Sequence, residues 1–157
     1  MALAFRNLTV TPDDPVSEWG LEGIQTALER GDLSHWRRIA AEVRRDPWGK
    51  VASDLVDVLS YCRPYGVGDL MADVVASARA DAEQSERASV SAEVREIVEA
   101  SGMTAAEFAA RIGTSPSRLS TYATGKVIPS AALMVRMRRL SSTRSSHIAS
   151  SVENHVG

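Results

Sequence analysis

The segment that most constrains the fold spans residues 104–125, TAAEFAARIGTSPSRLSTYATG. It opens with Thr104 and Glu107 at the T-x-x-E spacing of a capping box, in which each side chain satisfies a backbone amide of the other residue. Apolar residues at helical spacing follow, and the run stops at Gly113, a residue that readily adopts the left-handed conformation found at helix ends. The pattern predicts a short helix that ends in a tight turn.

A second helix is predicted directly after that turn. Ser115 offers a capping hydroxyl, and Pro116 suits the first turn of a helix because its φ is fixed and it lacks an N–H. Leu119 and Tyr122 lie three residues apart and can face the first helix. The polar residues on the outer side are Ser117, Arg118, Thr121 and Thr124. Two short helices joined at a tight turn have the layout of a helix-turn-helix, so the pattern predicts binding to duplex DNA.

Residues 93–140 resemble the Cro and phage-repressor type of helix-turn-helix domain, also called the XRE family. The residues in register with that family are Gly102, Phe108, Ala109, Ile112, Gly113, Leu119, Ser120, Gly125, Lys126 and Pro129. The resemblance covers about a third of the chain. It implies about five helices around a small core, with the helix that starts at Pro116 lying in the major groove.

The resemblance also implies which residues meet DNA. The base-reading positions fall on Pro116, Ser117 and Thr121. The phosphate-contacting positions fall on Thr104, Ser115, Arg118, Thr124 and Lys126. The chain departs from the family at Pro116, which has no side-chain donor, and at Ala105, where an amide side chain is usual. Base reading is therefore expected to depend on Ser117 and Thr121, and on Arg118 if it forks onto guanine.

A third departure concerns an ion pair that many members of the family bury. The two positions hold Val98 and Ala123 in this chain. Because both residues are apolar, no lone charge is left in the core, and the joint replacement supports the alignment.

Charge is distributed unevenly along the chain. The formal net charge is −2, yet residues 104–144 hold seven basic side chains and one acidic side chain. That segment therefore carries +6, and the rest of the chain carries −8. A cationic module of this kind attracts phosphates. Part of the charge has another explanation, because Arg136, Arg138 and Arg139 are predicted to lie at a helix end, where cations complement the dipole.

Several other classes of protein find no support in the sequence. The single cysteine, Cys62, excludes an internal disulfide and is predicted to be a small buried apolar residue. The chain has no signal-peptide pattern and no apolar run of about 18 residues, so a cytoplasmic location is predicted. His35, His147 and His155 are scattered and no nucleophile–base pair can be nominated. We therefore expect no metal, no cofactor and no enzymatic activity.

Residues 1–82 are predicted to form a small helical domain, and residues 83–92 a helical connector. Apolar spacing predicts four helices, the first of which begins near Val16. The three tryptophans of this region are predicted to be core residues: Trp19, Trp36 and Trp48. In the connector, Glu83 is predicted to pair with both Arg79 and Arg87 at i,i+4 spacing. Residues 141–157 form a Ser-rich tail that is predicted to be weakly ordered.

The sequence thus predicts an all-α protein in which a small N-terminal helical domain is joined by a long helix to a C-terminal Cro/repressor-like helix-turn-helix domain, residues 93–140. The predicted function is a sequence-specific transcriptional regulator, a repressor that binds an operator in double-stranded DNA. The resemblance implies a homodimer on a twofold-symmetric site. One alternative is an antitoxin that represses its own operon and holds a toxin through the N-terminal domain. Another is a protein-interaction adaptor that no longer binds DNA, which the departures at Pro116 and Ala105 leave open.

Overall fold

The computed structural model describes residues 2–6 and 8–153, and every regular element among them is helical. A 3₁₀ turn at Val16–Glu18 precedes the first helix. The helices are α1 Gly20–Arg30, α2 Leu33–Arg45, α3 Lys50–Tyr61, α4 Val67–Ser101, α5 Ala105–Ile112, α6 Pro116–Ala123 and α7 Ala131–Glu153. The predicted all-α class is confirmed. The chain divides into two compact units, Met1–Glu83 and Gln84–Gly157, and α4 contributes residues to each.

The first unit packs α1, α2, α3 and the first part of α4 around one apolar core. Its most deeply buried large side chains are Trp19, Ile24, Ile39, Leu55 and Met71. α2 begins with a capping box, in which the Asp32 carboxylate accepts from Ser34 N and the His35 ring accepts from Asp32 N. The predicted first helix is interrupted, because the 3₁₀ turn ends at Glu18 and α1 begins at Gly20, whose φ is +66°.

The tryptophans of the first unit occupy different environments. Trp19 is a core residue as predicted, and Trp36 is half-buried with its indole N–H donated to the Ala27 carbonyl at 2.9 Å. The prediction for Trp48 is wrong, since 51% of its surface is exposed. The Arg79 guanidinium lies 5.0 Å from the centre of the Trp48 ring, and its Nε donates to the Pro47 carbonyl. The predicted Arg79–Glu83 ion pair does not form because these contacts hold the arginine.

Cys62 is half-buried against the core of the first unit rather than fully buried. Its thiol donates a hydrogen bond of 3.1 Å to the Glu29 carboxylate. Burial raises the pKa of the Cys62 thiol, and the neighbouring Glu29 carboxylate raises it further. The residue therefore acts as a small packing residue with one polar contact.

The second unit is built from the last part of α4 together with α5, α6 and α7. Its core residues are Val94, Phe108, Ala109, Ile112, Leu119, Tyr122, Met134 and Met137. The resemblance implied about five helices, but the structure has four, since a single helix, α7, follows α6 and runs from Ala131 to Glu153. None of the described helices is both long and apolar enough to cross a membrane.

The weakly ordered tail expected from residue 141 is helical in the structure as far as Glu153. Serine and threonine side chains of this part of α7 bond to the backbone one turn earlier. The hydroxyls of Ser142 and Thr143 each donate to the carbonyl four residues before them, at 2.9 Å. Such local bonds satisfy the hydroxyl groups but do not strengthen the helix. Residues 154–157 of the predicted tail lie outside the described residues.

Candidate nucleic-acid interface

The first helix of the motif, α5, starts and ends as its sequence predicts. The Thr104 hydroxyl accepts from Glu107 N at 3.2 Å, and the Glu107 carboxylate accepts from Thr104 N at 2.9 Å. Phe108 and Ile112 are buried in the core. Gly113 ends the helix with φ +81°, in the left-handed region that residues with a Cβ avoid. The predicted capping box and left-handed turn are both confirmed.

The second helix, α6, follows α5 after three residues. The Ser115 side chain accepts from Arg118 N at 3.2 Å, and Pro116 is the first helical residue. Leu119 and Tyr122 are buried and pack in the same core as α5. The two short helices and the turn between them therefore form a helix-turn-helix.

The predicted DNA-contacting residues lie at the surface of this motif. Seven of them are exposed: Thr104, Ser115, Pro116, Ser117, Arg118, Thr124 and Lys126. Thr121 is half-buried. Ser117 and Thr121 are one turn apart on α6 and so lie on the same side of the helix. The structure thus places the predicted residues on α6, at the start of both helices and in the loop after α6, while their contact with DNA stays a prediction.

Three of these hydroxyls already donate to partners inside the protein. The Thr104 hydroxyl donates to the Glu107 carboxylate at 3.0 Å. The Thr121 hydroxyl donates to the Arg118 carbonyl at 2.6 Å, and the Thr124 hydroxyl donates to the Thr121 carbonyl at 3.3 Å. The Ser115 oxygen accepts from a backbone amide, which leaves its own proton available for an outside acceptor.

The basic side chains that the structure describes in the second unit fall into two groups. Four have no side-chain hydrogen bond or ion pair within the described part of the chain: Arg111, Arg118, Lys126 and Arg139. Others hold the fold together, as Arg136 does by donating to the Ile112 carbonyl at the end of α5. The prediction that Arg136, Arg138 and Arg139 lie at a helix end is wrong, because α7 continues for more than three turns beyond them.

Arg138 is engaged by an acidic residue of α4. Its Nε lies 2.6 Å from Glu93 Oε1, and its Nη2 lies 3.2 Å from Glu93 Oε2. The hydrogen bonds from Arg138 hold the pKa of Glu93 below its ordinary value. The same contact raises the pKa of Arg138. This pair links α4 to α7, so the role of Arg138 is structural.

The positions of the missing family ion pair are apolar in the structure as well. Val98 and Ala123 are both half-buried against the core of the second unit. A different link joins α4 to this end of α6, since Arg95 Nη1 donates to the Ala123 carbonyl at 2.5 Å. Arg87 Nη1 also contacts the carbonyls of Gly125 and Lys126, at 3.3 and 3.4 Å.

Sequence reasoning gave Arg95 no role and predicted that Arg87 pairs with Glu83, whereas Arg87 bonds to the loop after α6. When a guanidinium binds a backbone carbonyl, its partner cannot be recognised in the sequence, because every residue has a carbonyl group. The only available signal was spacing, because Arg87, Ser91 and Arg95 are four residues apart and share one face of α4. That spacing does not reveal which part of the chain packs on the face.

A family model described as a helix-turn-helix domain matches residues 89–143. The match takes in the end of α4, all of α5 and α6, and the first half of α7. No curated protein and no solved structure matches the chain. The match is consistent with the motif seen in the structure and with a DNA-binding segment. The narrower assignment to the Cro and phage-repressor type stays a prediction.

Proposed function

We propose that the protein is a transcriptional regulator that binds double-stranded DNA by inserting α6 into the major groove. The observation that carries the proposal is the division of α6 into two sides. Leu119 and Tyr122 are buried, whereas Ser117 and Arg118 are exposed without an acidic partner among the described residues. The major groove is wide enough to admit one helix. In our proposal the protein represses by occupying an operator and performs no chemical reaction.

The second unit has the charge that such a role requires. From residue 104 to residue 143 the only acidic side chain is Glu107, which caps α5. Arg118 and Lys126, exposed and unpartnered in the described chain, flank the polar side of α6. Neutralising phosphates with such cations supplies most of the affinity of non-specific DNA binding.

We place the phosphate contacts at Ser115, Arg118 and Lys126. Ser115 has a proton to donate, and the amides at the start of α6 add partial positive charge. At Thr104 the Glu107 carboxylate takes the hydroxyl proton and repels phosphate, so this residue is the weaker member of the predicted set. Base reading is assigned to Ser117 and Thr121.

The proposal includes a homodimer on a twofold-symmetric operator. Helix-turn-helix dimers place their recognition helices about 34 Å apart, which corresponds to one turn of the duplex. Two half-sites of inverted sequence at that spacing are the expected footprint. A band-shift stoichiometry of one chain per minimal site would contradict the symmetric arrangement.

Genome-wide mapping of sites bound by the tagged full chain tests the function. We expect discrete peaks, one of them over the promoter of its own gene, and we expect them to vanish for a variant with Ser117, Arg118 and Thr121 replaced by alanine. A wild-type chain that fails to bind any duplex even at low salt would overturn the proposal and favour the adaptor. A peak at its own promoter together with a small copurifying toxin would favour the antitoxin.

A further inference from the structure

The carboxyl end of α6 is held by basic residues of α4. The last carbonyl groups of a helix have no partner within the helix. Here the Ala123 carbonyl accepts from Arg95 Nη1 at 2.5 Å. A positive group at this position also complements the partial negative charge of the helix end. Arg95 therefore satisfies a carbonyl and stabilises the end of α6 by charge.

The loop after α6 is held on the same face of α4. The Gly125 and Lys126 carbonyls both accept from Arg87 Nη1. Gly125 has a φ of +78°, and a Cβ built on it would lie 3.5 Å from the Cβ of Ser91. Ser91 lies midway between Arg87 and Arg95 in the sequence of α4. On its other side the loop is fixed by Val127, whose N–H donates to the Thr121 carbonyl at 3.2 Å.

Lys126 combines a fixed backbone with an unengaged side chain. Its carbonyl is held by Arg87, while its exposed ammonium group has no hydrogen bond or ion pair within the described residues. A cation is most effective as a phosphate contact when its backbone is already in place, because less conformational entropy is lost on binding.

We infer that Arg87 and Arg95 are positioning residues, which hold the end of α6 and the loop so that Lys126 meets a phosphate. The inference rests on the proposed function. Nη1 of each arginine is committed to a carbonyl of the protein, so neither acts primarily as a phosphate ligand. Their contribution to DNA binding passes through Lys126 and the end of α6.

A double-mutant cycle on the full chain separates positioning from direct contact. Arg87→Met, Lys126→Met and the double variant are compared for their DNA affinity over a range of salt concentrations. Arg87→Met should weaken binding roughly three- to tenfold in the wild-type background and have little effect once Lys126 is methionine. Lys126→Met should lower the salt slope by about one charge, whereas Arg87→Met should leave it unchanged.

The same cycle has outcomes that overturn the inference. Equal losses in both backgrounds would show that Arg87 does not act through Lys126. A salt slope reduced by Arg87→Met itself would make Arg87 a direct phosphate ligand. Arg44→Met is the control for net charge, since Arg44 is an exposed residue of the first unit without a partner among the described residues. The DNA affinity of Arg44→Met should match that of the wild type.

Arg95 is tested by rescue. Arg95→Met should weaken binding with an unchanged salt slope, and Arg95→Lys should restore much of the affinity because an ammonium group can still donate to the Ala123 carbonyl. If Arg95→Met lowers affinity only in proportion to a loss of overall stability, measured by thermal unfolding, the residue is merely structural and the inference fails for it.

Hydrogen exchange of the Val127 amide tests the loop without DNA. Arg87→Met should speed this exchange in the free protein, and Arg44→Met should not. An unchanged exchange rate would overturn the inference, whatever the affinity data show. If the wild-type chain binds no DNA, the proposed function fails, but the exchange rate still decides whether Arg87 holds the loop.

Discussion

Arg138 and Glu93 form a two-point ion pair that joins α7 to α4. The pair is partly exposed, with 56% and 38% of the two side chains accessible to solvent. Solvent screening therefore limits its contribution to stability. Its main effect is to orient the Arg138 guanidinium toward α4. Of the three arginines at 136, 138 and 139, Arg138 is therefore bound within the protein and is not directed toward DNA.

Replacing Arg138 should affect the fold more than DNA binding. We expect Arg138→Met to lower the melting temperature slightly and to leave the salt slope of DNA binding unchanged, because no phosphate contact is lost. Arg139→Met is the matched control, since Arg139 is exposed and has no partner in the described chain. A flattened salt slope for Arg138→Met would show that Arg138 exchanges Glu93 for a phosphate.

The Glu93–Arg138 pair also predicts a pH dependence. Because the pKa of Glu93 is lowered from its ordinary value of 4.5, the pair stabilises the folded protein above that pH. Its contribution is lost as the pH falls below 4.5 through the lowered pKa. The difference in melting temperature between the wild type and Glu93→Gln should therefore be present at neutral pH and vanish in acid. A constant difference across this range would contradict the prediction.

Ser115 allows stability and DNA binding to be separated. Ser115→Ala removes the cap of α6 and should cost about 1 kcal/mol of unfolding free energy. Ser115→Asp should keep the stability, since aspartate caps helices well and its charge suits this end of the dipole. The same carboxylate should repel phosphate and abolish DNA binding.

A second helix start provides the control for this substitution. The Ser130 side chain caps α7 by accepting from Leu133 N at 3.2 Å. Ser130→Asp adds the same charge to the same unit and should weaken DNA binding much less than Ser115→Asp. Urea unfolding and band-shift titrations measure the two properties. Similar losses of affinity for both variants would mean that net charge, and not the position of Ser115, decides binding.

Arg118→Ala tests whether this residue contacts the backbone of DNA or a base. A phosphate contact predicts weaker binding to every sequence and a salt slope smaller by about one charge. A loss confined to one base position would show instead that Arg118 reads guanine. Arg111→Ala is the control and should change affinity little, since Arg111 is a cation of α5 without a partner among the described residues.

Gly113 tests the turn between the two helices. Gly113→Ala should cost about 1–2 kcal/mol, because alanine is strained at a φ of +81°. Crowding adds little, since the new Cβ would lie 3.7 Å from Arg136 Nη1. The variant should also lose DNA affinity, as α6 is displaced from α5. Gly20→Ala carries a similar strain in the first unit and should lower stability with normal DNA affinity at low temperature.

The part of the fold that could be predicted is encoded by neighbouring residues. The capping box of Thr104 and Glu107, the left-handed Gly113 and the Ser115–Pro116 start act within one turn of the backbone. Each has one favourable geometry, so the bounds of α5 and α6 follow from the sequence. The exposed positions on α6 follow in turn from helical periodicity.

The parts that could not be predicted depend on contacts between distant residues. Arg87 and Arg95 lie more than 25 residues from the carbonyls that they bind. Trp48 lies partly exposed at the surface, and the Arg79 guanidinium that lies over its ring comes from a different helix. The serine-rich end of α7 has no apolar periodicity, so the pattern that predicts helices gives no signal there, and its hydroxyls bond to their own backbone.

If Thr121 reads a base, as we propose, the bond from its hydroxyl to the Arg118 carbonyl constrains which base can lie opposite it. A hydroxyl that gives its hydrogen to its own helix presents only lone pairs outward. A matching base edge must then supply the hydrogen, as the exocyclic amino groups of adenine and cytosine do, whereas guanine offers two acceptors in the major groove. Operators should accordingly favour adenine or cytosine over guanine at the nucleotide nearest Thr121.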